Sequence, residues 1–257
     1  IALSIRSQLA GYKIHVLEAV GSPAELPVEM NSFKSQQHRW MKGGAETAKK
    51  MLPSVWKSDL ALGHKVQATA HLLGSTIFLF VFLCGVFSVP LLFLMGELSV
   101  FGINKDIFAI FLTGLLSVIG IYYTANVNSV AVEGQSFSKK ILKFIVLFPL
   151  FLALSMGLSL HNTVAVLQGY RGKKSPFVRT PKFNINTVKD KLKASKYMKG
   201  KLNLITVGEG LLSLYFLAGI AGAFYLQNAT FIFFHGLLAI GYGAIFFFSV
   251  KHLKFVQ

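Results

Sequence analysis

From residue 68 to residue 96 the chain contains no Asp, Glu, Lys or Arg, and the end of that run, residues 77–96, reads "IFLFVFLCGVFSVPLLFLMG". A helix that is apolar on every side must be enclosed by a large core or by lipid, and about 20 such residues cross a bilayer. Four more apolar stretches follow, at 107–125, 144–160, 210–227 and 229–250. Of the 257 residues 53% are hydrophobic and only 14% are charged, yet the net charge is +16. This balance excludes a disordered chain and an ordinary soluble domain, and leaves a mostly α membrane protein with strongly basic connections. The single cysteine, Cys84, lies inside the first apolar run and offers no disulfide framework. Membrane lipids are expected partners; nucleic acid is not.

Charge decides which side each connection occupies. Residues 171–201 hold eleven Lys or Arg against one acid, Asp190, whereas 97–106 and 226–230 are nearly neutral. Cytoplasmic connections carry the excess of positive charge, so 171–201 belongs inside and the two neutral connections outside. Segment 68–96 then runs outward and 107–125 returns, leaving Lys139 and Lys140 inside. Were 144–160 to cross as well, the most basic connection would lie outside. That segment has 17 residues, contains Pro149 and leads into the polar "HNTVAVLQGY". It is expected to be interfacial or re-entrant, leaving a bundle of about four transmembrane helices.

Residues 1–30 have a different character. "LSIRSQLAGY" suggests a short helix closed by Gly11, and "KIHVLEAV" alternates like a strand, together resembling the tail of an α/β domain. Because the sequence opens on Ile1 with no signal peptide, it is expected to be the C-terminal portion of something longer. The prolines of "SPAELP" end this part. In the basic segment from Met30 to Trp56, Phe33, Trp40, Thr47 and Met51 fall near one helical face, while Lys34, Lys42, Lys49, Lys50 and Lys57 supply positive charge. Gly43 and Gly44 are expected to divide it into two amphipathic pieces lying in the headgroup layer. The expected divisions are thus 1–30, 31–66, 67–170, 171–201 and 202–257.

Within "SQQHRWMKGG", residues 35–44, an amide, a guanidinium and an indole stand close together. Arginine presents a rigid fork of donors to phosphate oxygens, glutamine bonds hydroxyls, and an indole stacks on the apolar face of a pyranose. Gln36, Arg39 and Trp40 occupy the fixed places of a Q-x-x-R-W pattern. The motif resembles the signature of membrane-embedded family-2 glycosyltransferases such as cellulose, mannan and hyaluronan synthases. The text around it, "PAELPVEMNSFKSQQHRWMKGGAETAKKMLP", is similar to the stretch that follows the catalytic carboxylate in the cellulose-synthase-like branch. A second likeness lies at "GKKSPFVRTPKF": Phe177, Thr180 and Lys182 match an F-x-V-T-x-K loop that closes over nucleotide, with Arg179 where that pattern has valine.

The resemblance implies a GT-A-type cytosolic domain ending near residue 30, interfacial helices and a channel-forming bundle. It implies a processive inverting transferase that extends a β-linked polysaccharide from a UDP- or GDP-hexose at the cytoplasmic face of the plasma membrane. Arg39 would meet the diphosphate, Gln36 and Trp40 the acceptor sugar, and Phe177, Thr180 and Lys182 the nucleotide. A divalent metal, Mg or Mn, is expected on residues outside this chain, as is the base, because neither D-x-D nor T-E-D occurs here. Growing polysaccharide or a lipid acceptor, and accessory or homo-oligomeric subunits, complete the expected partners. Glu209, two turns into an apolar segment, is a candidate to line the channel. His71, His161 and His235 lack ligand spacing, so no metal site is expected within this chain. A non-processive lipid glycosyltransferase and a non-enzymatic channel or transporter subunit are the alternatives.

Overall fold

A computed structural model describes residues 2–17, 20–22, 24–100, 109–127, 129, 134–176 and 202–253, the side chains of 99 and 109–113 excepted. The regular elements among them are helical. They are α1 (Ala2–Leu9), α2 (Met30–Lys57), α3 (Leu62–Leu72), a 3-10 turn (Leu73–Thr76), α4 (Ile77–Val100), α5 (Ala109–Val127), α6 (Phe137–Gly157), α7 (Ser159–Tyr170), α8 (Leu204–Tyr225) and α9 (Ile232–Leu253). Two compact units result, one of residues 1–83, 158–210 and 245–257, the other of 84–157 and 211–244.

The first unit is built around α2. Its start is set by Glu29, whose extended backbone and carboxylate cap the backbone N–H groups of Asn31 and Ser32 at 2.8 and 2.7 Å. Lys34, Lys42, Ala45, Ala48, Met51 and Val55 form its buried stripe, at the three- and four-residue intervals of one helix face. Met51, Val55 and Ala48 make a small core with Ile5 of α1 and Leu72 of α3. α7 lies against the middle of α2, where a Cβ on Gly169 would stand 2.5 Å from the Lys42 carbonyl oxygen and 2.8 Å from the Ala45 Cβ. Only glycine permits that approach.

Three expectations for the first 57 residues are corrected. α2 runs unbroken through Gly43 and Gly44. Each glycine costs a helix about 1 kcal/mol relative to alanine, but the tertiary packing of α2 and α7 offsets this, and Gly44 fits against the Ser75 hydroxyl. Of the face expected from Phe33, Trp40, Thr47 and Met51 only Met51 is buried: Trp40 is 56% exposed, whereas Lys34 and Lys42, expected in the headgroup layer, are buried. Finally, 12–17 are irregular and exposed rather than a strand, because among the described residues no second strand pairs with them. The GT-A α/β domain is accordingly not seen. α1 does end as expected, with Gly11 at φ 86° and Tyr12 N–H bonding the Ser7 carbonyl.

In the second unit small residues let helices meet closely, as lipid-exposed bundles require. Gly157 of α6 and Gly241 of α9 touch backbone to backbone, leaving no room for a Cβ on either. Gly219 of α8 admits Val89 and His235, and Gly222 admits Phe93. Pro90 within α4 has no N–H for the Val86 carbonyl four residues earlier, and Tyr215 of α8 donates its hydroxyl to that oxygen at 2.7 Å. Ser88 joins His235 Nε2 at 2.8 Å. α5 packs on α6 through Tyr122 against Phe151 and Tyr123 against Phe144, at ring separations of 4.9 and 5.5 Å.

Among the described residues, four stretches are long and apolar enough to cross a membrane: Leu62–Leu98, Phe137–Gly157, Leu204–Tyr225 and Ile232–Leu253. The segment expected at 144–160 is α6, and its 21 residues remove the length argument against crossing.

Candidate functional site

On α2 the residues of the Q-x-x-R-W motif stand on the side away from Lys34. Successive helical residues turn by about 100°, so Gln36, Arg39 and Trp40 stand roughly 140° to 240° around the axis from Lys34. Gln36 and Arg39 are half-buried and Trp40 is exposed. Spacings of three and four place the amide, guanidinium and indole on one surface. A planar cation beside an indole can hold a phosphate and stack a sugar ring.

One turn after Lys34, on the same side of the helix, lies His38. Its Nε2 is 3.2 Å from Gln168 Oε1 on α7, and its ring meets that of His161 edge-on at 5.5 Å. His161 in turn donates from Nε2 to the Lys34 carbonyl at 2.9 Å. Burial above all, then the positive charges of Lys34 and His38, hold the His161 imidazole down at about 3. It is therefore neutral at physiological pH.

Opposite the motif, Lys34 Nζ donates to three acceptors: Glu209 Oε2 at 2.6 Å, Thr206 Oγ1 at 3.0 Å and Ser249 Oγ at 3.4 Å. These use all the protons of an ammonium group. Burial lowers the Lys34 pKa, and the Glu209 carboxylate opposes that shift. The first turn of α2 is also tied to the end of α9, with Met30 N–H donating to His252 Nδ1 at 3.0 Å and Asn31 Nδ2 to the Ser249 carbonyl at 3.2 Å. Two turns further on, Lys42 Nζ reaches Ser175 Oγ at 2.7 Å and Glu46 Oε1 at 3.7 Å.

Of the residues singled out from sequence, Gln36, Arg39 and Trp40 thus come together on one surface. Glu209 is fully buried and ion-paired with Lys34, a partner that neither sequence spacing nor hydropathy indicates. Phe177, Thr180 and Lys182 lie outside the described residues. No three His, Cys, Asp or Glu side chains gather into a metal site among the described residues.

No family model matches the chain, and no solved structure matches it. Among curated proteins it is 30% identical over 107 residues to the probable glucomannan 4-beta-mannosyltransferase 4 of Oryza sativa subsp. japonica. That alignment covers 38% of this chain and 19% of the rice protein. The similarity is distant, and it supports a relation between this membrane-helical chain and glycosyltransferases.

Proposed function

We propose that the chain is the membrane-associated portion of a processive, inverting glycosyltransferase that extends a β-linked polysaccharide from a nucleotide sugar. The observation that carries this reading is the geometry of α2. Its buried face is held by the ends of apolar helices, and its other face presents Gln36, Arg39 and Trp40 together. The similarity to a plant mannosyltransferase agrees with it.

On this reading Arg39 binds the diphosphate and stabilises charge as the sugar departs. Trp40 stacks on the acceptor ring while Gln36 bonds its hydroxyls, holding the attacking oxygen against the anomeric carbon. The base that takes the acceptor proton and the residues that hold the metal lie outside this chain. Phe177, Thr180 and Lys182 are proposed to close over the nucleotide. The catalytic face is cytoplasmic at the plasma membrane.

Connectivity supports the crossing pattern. Only Leu158 separates α6 from α7, and α7 meets the start of α4 where Thr163 Oγ1 donates to the Phe78 carbonyl at 3.0 Å. The chain therefore leaves the level of α2 through α4 and is back at that level by Ser159, which requires an even number of crossings among α4, α5 and α6. With α4 crossing, one of α5 and α6 crosses and the other does not. Lys139, Lys140 and Lys143 at the start of α6 favour α5 as the return, with α6 lying at the cytoplasmic interface.

Full-length protein in nanodiscs, supplied with radiolabelled UDP- and GDP-hexoses, tests the reading. A product that lengthens with time supports it. A single-sugar glycolipid reassigns the protein to non-processive transfer, and no sugar transfer from any donor overturns the enzymatic reading.

A further inference from the structure

Two of the lysines on α2 are buried. Lys34 and Lys42 are 5% and 6% exposed and stand eight residues apart, a little over two helical turns, on one stripe. Lysine is almost never buried without a partner, and the two partners here share a feature. Lys42 holds Ser175, in the stretch that follows α7. Lys34 holds Thr206 and Glu209, in the first two turns of α8. One rigid helix thus grips the chain at a point before and a point after residues 177–201.

We propose that Lys34 and Lys42 are positioning residues that hold these two stems in register with the face bearing Gln36, Arg39 and Trp40. An ammonium with three acceptors has a direction as well as a charge, and Lys34 finds its acceptors on two helices, α8 and α9. Apolar packing alone would let α2 rotate or slide by a fraction of a turn. The tripod permits a single arrangement. Lys42 adds a second point of attachment, which removes rotation about the first. His161 reinforces the same register through the Lys34 carbonyl, and Lys49 does so by donating to the Tyr170 carbonyl at the end of α7.

The kinetic part of this inference rests on the glycosyltransferase reading; the anchoring part does not. Spin labels at Lys174→Cys and Leu202→Cys, both exposed sites, are placed in a full-length Cys84→Ala background. Electron-spin distance measurements then report the separation of the two stems. The test variants are Lys42→Met and the paired Lys34→Met/Glu209→Leu, which removes the tripod without stranding a buried carboxylate. Wild type is expected to give one narrow distance and both variants a distribution at least about twice as wide. Because small misplacements of reacting groups are costly, kcat/KM is expected to fall about tenfold or more, with melting temperature and product identity unchanged. Unaltered widths in both variants overturn the anchoring. Wider distributions with wild-type kinetics overturn the positioning role. Wild-type protein without sugar transfer removes the functional reading, and the distances still decide whether the stems are anchored.

Discussion

Lys34 and Glu209 lie 175 positions apart in the chain and meet at 2.6 Å with both side chains out of solvent. One stands in the first two turns of the helix that carries Gln36, Arg39 and Trp40, and the other in the first two turns of an apolar helix. Removing either partner alone leaves the other charged and buried. Lys34→Met is therefore expected to destabilise the detergent-solubilised protein by about 3–5 kcal/mol, whereas Lys34→Met/Glu209→Leu should lie within about 1 kcal/mol of wild type. Chemical denaturation followed by Trp fluorescence measures both; equal losses would mean that the pair carries no special coupling.

Arg39→Ala should leave expression and membrane insertion intact and reduce sugar transfer by about 10²–10³, the usual loss for one charge-assisted contact to a developing anion. Initial rates in washed membranes decide this. Activity within about threefold of wild type would place Arg39 on lipid phosphate instead.

The hydroxyl of Tyr215 is expected to matter because Pro90 freed the Val86 carbonyl. Tyr215→Phe should cost about 1 kcal/mol, near the upper range for polar contacts between membrane helices. In a Pro90→Ala background, where the helix can satisfy that carbonyl itself, the same substitution should cost far less. A double-mutant cycle on unfolding free energies gives the coupling, and a coupling near zero would refute this account of the proline.

Acid should loosen the α2–α7 contact. His161 titrates at about 3 in the folded protein and at an ordinary 6.5 when unfolded. The unfolded chain thus binds a proton that the native one refuses throughout that window. Stability is complete above the unfolded value and falls as pH drops from about 6.5 toward 3, by up to about 1.4 kcal/mol per pH unit from this group. In His161→Gln the slope of stability against pH should shrink by about one proton over this range. An unchanged slope would show that other groups dominate acid unfolding.

Ser136→Cys in a Cys84→Ala background discriminates between the two crossing patterns. With α5 as the return, this position lies inside and should resist a membrane-impermeant thiol reagent in intact cells, as should Ser175→Cys. Labelling of position 136 from outside, with position 175 protected, would make α6 the span.

Much of this architecture is visible in the sequence, and the exceptions have physical causes. Apolar runs mark the membrane helices because lipid tolerates little else, so a local property suffices. The Q-x-x-R-W residues share a surface because their spacing and the helical period require it. The burial of Lys34 and Lys42 is not legible, since it depends on Thr206, Glu209 and Ser175, all more than 130 positions away. The start of α2 at Met30 is where the basic segment begins, although Glu29 caps it in place of the short polar side chains that usually mark a helix start. Gly43–Gly44 and the alternation of 13–17 misled in opposite ways. The glycines sit in a helix that packing sustains, and the alternation lacks a pairing strand among the described residues.

The crossing of α6 and α9 at Gly157 and Gly241 has a genetic signature. A saturation library should find these two positions intolerant of every substitution, alanine included, because any added carbon meets backbone that cannot rotate aside. Gly74, Gly96 and Gly236, with open space where a side chain would begin, should accept many. A glycine's value in such a library then reports how near a neighbouring helix lies, so that growth counts alone would draw the contact line between these two helices.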